Sequence, residues 1–254
     1  MTAGTVLWDF DGTLGHRRHG TWAECLLEIL DRQQPDHSWQ FTDLFDALGT
    51  GFPWHNSDQP HPHLADADRW WAHITTVIRD ALTRLGMDPE MAAAAAHATR
   101  ATYIDTRAWS LYPIALHTLD HLRAEGWQHV VVSNHVPELP AILDALGVTP
   151  RLTAVINSAA TGYEKPHLEA FRRARAAAGP GLLWMVGDNP YADVAGAQAA
   201  GINAIWVQRP YTGGIPDLSA AARVVLEHHG ETHAVRWEIP PARAEISHAT
   251  NPVG

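Results

Sequence analysis

The sequence predicts an α/β fold in which a parallel sheet is interrupted, after its first strand, by an all-helical insertion. Three observations predict it. Short apolar runs of strand length recur at the start and through the second half, helical periodicity fills the gaps between those later runs, and residues 15 to 108 carry helical periodicity alone.

In chain order, Thr5 to Trp8 reads as a short buried strand ending at Asp9, with Gly12 supplying a turn. Four helical segments follow, over Trp22 to Leu30, Phe41 to Leu48, Ala67 to Leu85 and Pro89 to Ile104. No strand is expected among them, and a Pro-, His- and Gly-rich loop from Gly49 to His63 separates the second from the third. Pro113 to Glu125 reads as a helix with apolar residues at Ile114, Leu116, Leu119 and Leu122, closed by Gly126. Strands are then expected at Gln128 to Val132, Leu152 to Ile156, Leu182 to Val186 and Asn203 to Val207. Helices are expected between them at Pro137 to Leu146, Pro166 to Ala178 and Tyr191 to Ala200. Such alternation means βαβ units and a parallel sheet, whose functional residues lie beyond the carboxyl ends of the strands. The segment from His228 onward is Pro-rich and aperiodic, which suits an extended arm or a disordered one.

Composition narrows the function. A net charge of −10 argues against a nucleic-acid backbone as partner, which would call for a basic face. The single cysteine, Cys25, excludes an internal disulfide framework and suits a reducing, cytoplasmic setting. The apolar start is too short for a signal peptide or a membrane span. Of 18 basic residues only Lys165 is a lysine, against 17 arginines, a pattern that looks like GC-rich coding bias. An ammonium and a guanidinium are not interchangeable at a tight site, so the neighbours of that lone lysine matter.

Four polar clusters fall at expected strand ends. In Asp9-Phe10-Asp11-Gly12-Thr13 the two acids share a face of an extended backbone while Phe10 turns to the core. One carboxylate can attack an electrophile and the other can hand a proton to a leaving group; the same residues also suit a solvated Asp-Gly turn. Ser133-Asn134 offers a hydroxyl and a backbone N–H to anionic oxygens, or a plain helix cap. Gly162-Tyr163-Glu164-Lys165-Pro166-His167 places Lys165 before a proline suited to the first turn of a helix. Gly187-Asp188-Asn189-Pro190-Tyr191-Ala192-Asp193 brings two more carboxylates to a turn that opens a helix. Each has a bland reading, but all four share one edge of one sheet.

Asp9-Phe10-Asp11-Gly12-Thr13, Ser133, Lys165-Pro166 and Gly187-Asp188 with Asp193 resemble, in order, the four motifs of the haloacid dehalogenase superfamily. The resemblance runs from residue 5 to about 225 and implies a Rossmann-like parallel-sheet core with an inserted α-helical cap of the C1 type. It divides the chain into a core of residues 1–14 and 109–227, a cap of residues 15–108 and a C-terminal extension of residues 228–254. It implies a phosphatase that hydrolyses a small phosphorylated metabolite through an aspartyl-phosphate on Asp9, with Asp11 as general acid and base. Mg²⁺ would be held by the Asp9 carboxylate, the Asp11 backbone carbonyl and Asp188, an all-oxygen set suited to that ion. Ser133, the Asn134 N–H and Lys165 would hold the phosphoryl group, with Thr13 and Asp193 in support. Relatives that release halide, or that cleave phosphonates with a cap lysine, lack an acid at the position of Asp11, and this cap contains no lysine.

Weaker signals complete the reading. Arg17 and Arg18, in His16-Arg17-Arg18-His19, stand where a cap hinge can reach an anionic substrate, or where it is simply solvated. His55, His61 and His63, like His228, His229 and His233, are spaced too irregularly for a transition-metal site. Trp22, Trp54, Trp70 and Trp71 can stack on a ligand but suit packing within the cap. A phosphosugar mutase keeps both acids of the first motif and is an alternative. A phospho-aspartate receiver is roughly half this length and carries adjacent acids, and a catalytically idle binding protein would show a substituted motif. Substrate and oligomeric state are not legible.

Overall fold

The computed structural model describes residues 2–207 and 217–228. Five parallel strands form the sheet: β1 (Gly4–Trp8), β4 (Trp127–Ser133), β5 (Ala154–Asn157), β6 (Leu182–Gly187) and β7 (Asn203–Trp206), in the spatial order β5-β4-β1-β6-β7. Each lies within two residues of its expected run. The central strand β1 pairs on both sides, Trp8 standing opposite Val131 of β4 and Val186 of β6. All five residues of β1 are buried, which is why it reads as a continuous apolar run.

Period-two alternation sends neighbouring side chains of each strand to opposite faces. Val6, Trp8, Val131, Trp184 and Val186 join the larger buried cluster, together with residues of the inserted helices. Leu7, Val130, Val132, Leu183 and Met185 join the second, against Phe171 and Ala174 of α8 (Leu168–Ala178) and Ala197 of α9 (Gly196–Ala199). The first face is covered by α5 (Ala115–Ala124), α6 (Leu139–Ala145) and α10 (Leu218–Glu227), of which α10 lies outside every expected element. The short helix α7 (Ser158–Thr161) closes directly on β5.

The insertion holds α1 (Trp22–Gln33), α2 (Phe41–Ala47), α3 (Ala67–Arg84) and α4 (Pro89–Tyr103). Local chemistry sets their starts. Thr21 and Glu24 form a reciprocal capping box on α1, and Asp66 and Asp88 cap α3 and α4. The indoles are packing residues: Trp70 and Trp71 are buried, and Trp22 stacks on Tyr103 with ring centroids 4.0 Å apart. Two strands were not expected here. β2 (Gly15–Arg17) pairs antiparallel with β3 (Trp109–Leu111), making a ribbon through which the chain enters and leaves the insertion. Three residues are too few to display a period. Gly15 permits the pairing, since a Cβ there would lie 2.8 Å from the Ser110 carbonyl and 2.9 Å from the Phe10 ring.

Two expectations about helix starts need correction. Pro166 lies ahead of α8 rather than in its first turn, because His167 is the N-cap, its Nδ1 accepting from the Glu169 N–H at 3.1 Å. The helix expected over 191–200 begins instead as a π-helical turn, Pro190–Ala195, before passing into α9. Among the described residues no helix is long and apolar enough to cross a membrane. The C-terminal extension beyond His228, with His229 and His233, lies outside the described residues.

One buried polar pair fixes the heart of the sheet. Trp8 donates its indole N–H to His129 Nδ1 at 3.1 Å, so the imidazole carries its proton on Nε2, which faces the Leu119 carbonyl at 2.9 Å. Burial lowers the His129 pKa to about 4, and does the same to His135. The unfolded chain therefore binds protons that the folded chain refuses as pH falls from about 6.5 to about 4. Stability is fully present above that window and is lost on acidification through it, at up to about 1.4 kcal/mol per pH unit for each histidine. Urea unfolding at a series of pH values should show this slope, and His129→Gln should flatten it. An equal slope in the two proteins would contradict the assignment.

Candidate active site

The strand order brings three chain segments to one sheet edge, and a fourth reaches over them. Asp9 follows β1 directly, its N–H still bonded to the Val186 carbonyl at 2.9 Å, so its position is fixed by the sheet. Phe10 is fully buried on the core side. Behind it the chain turns tightly: Leu14 and Gly15 both donate to the Phe10 carbonyl at 3.0 Å, with Gly12 at φ +90°. Thr13, fully buried, donates to Asp188 Oδ1 at 3.3 Å and ties the loop after β1 to the loop after β6.

The side chain of Lys165 crosses this edge. Its Nζ lies 3.0 Å from Asp9 Oδ1 and 2.5 Å from Asp193 Oδ1, while Ser133 donates to Asp9 Oδ1 at 2.7 Å. Lys165 and Asp193 are buried. Burial disfavours charge on the lysine, yet Asp193 and Asp9 beside it outweigh that and hold its pKa above the ordinary lysine value. Burial pushes Asp193 upward, against the pull of Lys165. Both oxygens of Asp193 are engaged, since Oδ2 accepts from the Asn189 N–H at 2.9 Å. Gly187 makes room for this carboxylate: a Cβ there would meet Asp193 Oδ2 at 2.1 Å.

The loops after β4 and before α8 are clamped to one another. Asn134 donates from Nδ2 to the Lys165 carbonyl at 2.9 Å and accepts the Lys165 N–H on Oδ1 at 2.7 Å. Asn157 donates to the Val136 carbonyl at 2.8 Å, and Ser158 Oγ accepts from the His135 N–H at 3.2 Å. Trp206 donates its indole N–H to the Asp188 carbonyl at 3.0 Å. Carboxylate oxygens of Asp9, Asp188 and Asp193 lie within 4.8 Å of one another, and Asp188 is half-buried, open enough to meet a ligand. Asp11, also half-buried, follows Asp9 by two residues.

Asp9, Ser133, Asn134, Lys165 and Asp193 are thus joined in one bonded set, and the Thr13–Asp188 pair stands beside it, with Asp188 within 4.8 Å of the other two carboxylates. Arg17 is not part of it, and its expected reach to substrate is corrected. Its guanidinium is buried inside the insertion, donating to Glu28 at 3.1 Å, to the Thr102 carbonyl at 3.0 Å and to the Arg18 and His19 carbonyls. With none of its side-chain surface exposed, this guanidinium is closed to an anion arriving from solution. Arg18 is exposed, and its charge acts on Asp105 near the exit of the insertion. Sequence reading missed the side-chain role of Asn134, because an amide after a strand gives no sign of its distant partner. It also missed His135 and Glu164. His135 is buried against Phe10 and Trp109, with neither ring nitrogen bonded among the described residues. Burial raises the Glu164 carboxyl to about 7.

Comparison with known proteins agrees with this geometry. A family model described as haloacid dehalogenase-like hydrolase matches residues 3–201. A phosphoserine phosphatase of Thermus thermophilus is 36% identical over 151 residues, 58% of this chain and 59% of that protein, so the match spans under two thirds of that relative. The haloacid dehalogenase-like hydrolase domain-containing protein 3 of Bos taurus is 25% identical over 81% of this chain and 82% of its own. Among solved structures, the magnesium-bound HAD-hydrolase YfnB of Bacillus subtilis superposes with a TM-score of 0.61 at 17% identity, covering 89% of this chain and 99% of that one. A 2-haloacid dehalogenase of Pseudomonas syringae gives 0.59 at 23% identity over the same shares. These two likenesses concern the fold. With the family model matching most of its length, the chain belongs to the haloacid dehalogenase-like hydrolases.

Proposed function

We propose that this hydrolase cleaves small phosphate monoesters through a covalent intermediate on Asp9. The observation that carries the reading is the convergence of Lys165 and Ser133 on one oxygen of Asp9, 3.0 and 2.7 Å away, beside two further carboxylates. Relatives named phosphoserine phosphatase and ribulose-1,5-bisphosphate 5-phosphatase support it.

The proposed chemistry follows from charge. An Asp9 oxygen forms a bond to phosphorus as the ester P–O bond breaks, and Asp11 gives its proton to the leaving oxygen. A water molecule then attacks the acyl phosphate, Asp11 takes the water's proton, and release of phosphate restores Asp9. A halide leaves without protonation, so the presence of Asp11 favours a phosphate ester over a haloacid. Lys165, Ser133 and the Asn134 N–H would hold the non-bridging oxygens, where positioning and charge stabilisation do most of the catalysis.

Three carboxylates face a single ammonium here, and a phosphate dianion adds further negative charge. The donor set is all oxygen and suits Mg²⁺, which would be held by Asp9, the Asp11 carbonyl and Asp188. When bound, that ion would offset the repulsion between the Asp9 carboxylate and the phosphate. Asp193, already bonded through both oxygens, would support Lys165 and the loop instead. Residues 15–108 would act as the cap over this edge, on a core of residues 1–14 and 109–227.

Phosphate release from p-nitrophenyl phosphate and a panel of small phosphorylated metabolites tests the reading. Release should require Mg²⁺, stop on chelation and vanish in Asp9→Asn, while Asp11→Asn should lose about 10²–10⁴-fold in kcat. Undiminished release by Asp9→Asn would end the mechanism. A second expectation concerns stability. Lys165→Met strands Asp9 and Asp193 without their counter-charge and should cost about 3 kcal/mol in chemical denaturation at neutral pH. Adding Asp193→Asn should recover part of that loss without restoring turnover. A Lys165→Met protein as stable as wild type would show that the ammonium does not hold these acids.

A further inference from the structure

Two contacts seat the inserted helices on the core, and each lands on one of the loops assigned above to the phosphoryl group. Glu138 precedes α6, five residues after Ser133. Its carboxylate accepts from Trp71 Nε1 on α3, at 3.2 and 3.0 Å to its two oxygens. The same carboxylate accepts from Arg100 on α4, at 3.0 Å from Nε and 2.8 Å from a terminal nitrogen. Arg100 lies over the Trp71 ring, 5.8 Å from its centroid, and also reaches Asp68 at 3.3 Å. On the other loop, the His61 N–H of the insertion donates to the Gly162 carbonyl at 2.7 Å, three residues before Lys165. Contact there is so close that a Cβ on Gly162, at φ +76°, would lie 2.7 Å from the Pro62 backbone.

We propose that Glu138 is a positioning residue: by gripping Trp71 and Arg100 it couples the seating of the helical insertion to the loop that carries Ser133 and Asn134. The Asn134–Lys165 clamp passes that constraint to the second loop. Three properties suit Glu138 to the task. Trp71 is buried, so its N–H needs an acceptor, and in the seated insertion Glu138 supplies it. The grip is charge-assisted and shared between two helices, so it aligns both. The Arg100 and Glu138 side chains keep 40% and 19% of their surface exposed, so water can replace the contact and the seat is reversible. This inference rests on the phosphatase reading for its kinetic consequence, though not for its structural one.

The test pairs small-angle X-ray scattering of the ligand-free full chain with kinetics on p-nitrophenyl phosphate in Mg²⁺. Glu138→Lys, which repels Arg100, should enlarge the radius of gyration and lower kcat by about tenfold, because a loosened lid leaves the reacting groups misaligned. KM should move by less than about twofold, since the binding groups themselves are untouched. Glu138→Gln, which keeps an acceptor for Trp71, should fall between. Exchanging the charges, Glu138→Arg with Arg100→Glu, should restore much of the compactness and kcat. Should Glu138→Lys fail to fold, Glu138→Gln and Gly162→Ala carry the same comparison. Unchanged scattering and kcat in these variants would overturn the proposal while leaving the phosphatase reading intact. A wild type that releases no phosphate, alongside an expanded Glu138 variant, would sink the enzyme reading and leave the seating contact standing.

Discussion

The ammonium of Lys165, held between Asp9 and Asp193, is the constraint on which the rest of the site depends. A charge this deeply buried is tolerated only when paired and hydrogen-bonded, and each partner must itself be placed. Asp9 is placed by the central strand. Asp193 is placed by the π-helical turn after β6, whose Asn189 N–H holds its second oxygen. The loop carrying Lys165 is placed by the side chain of Asn134. Three loops from distant parts of the chain thus share one electrostatic requirement. Satisfying it assembles the edge at which the Asp9 carboxylate, the Ser133 hydroxyl and two further acids come together.

Beneath that edge the sheet does ordinary work. Strict alternation sends Val6 and Trp8 to one face and Leu7 to the other, so two buried clusters grip β1 from both sides. The larger cluster runs without a break from the sheet into the inserted helices. An element packed in this way moves as a body on the β2–β3 ribbon if it moves at all, because that ribbon is its covalent connection to the core.

Much of the architecture is legible from residues alone. The five strands carry apolar runs of sufficient length; three polar clusters stand where such runs stop, and the one around Lys165 follows the short helix α7. Asp9, Ser133 and Asp188 could be named because each sits at a strand end, Lys165 because it stands beside a proline, and Asp193 because it shares the turn that follows β6. What stayed hidden depends on contacts between distant positions. The three-residue strands β2 and β3 have no period of their own and exist because they pair. The nearness of Arg17 to Asp9 in sequence allows either a reach to substrate or a solvated hinge, yet β2 carries it into the insertion, where Glu28 and backbone carbonyls claim it. The prolines misled in a consistent way: Pro113, Pro137 and Pro166 each lie two residues ahead of the helix that they announce.

Gly187 shows how far such a constraint reaches. It is the last residue of β6, in the register of Trp206 on the edge strand, and nothing in its backbone demands glycine. What excludes every other residue is the carboxylate of Asp193, which fills the volume where a methyl group would stand. The two positions are therefore locked as a pair: Asp193 Cβ itself stands 2.6 Å from that point, so any side chain at 187 would force the turn at 193 to move. Drift at this glycine would then mark, in a set of related sequences, the members that have given up the arrangement around Lys165.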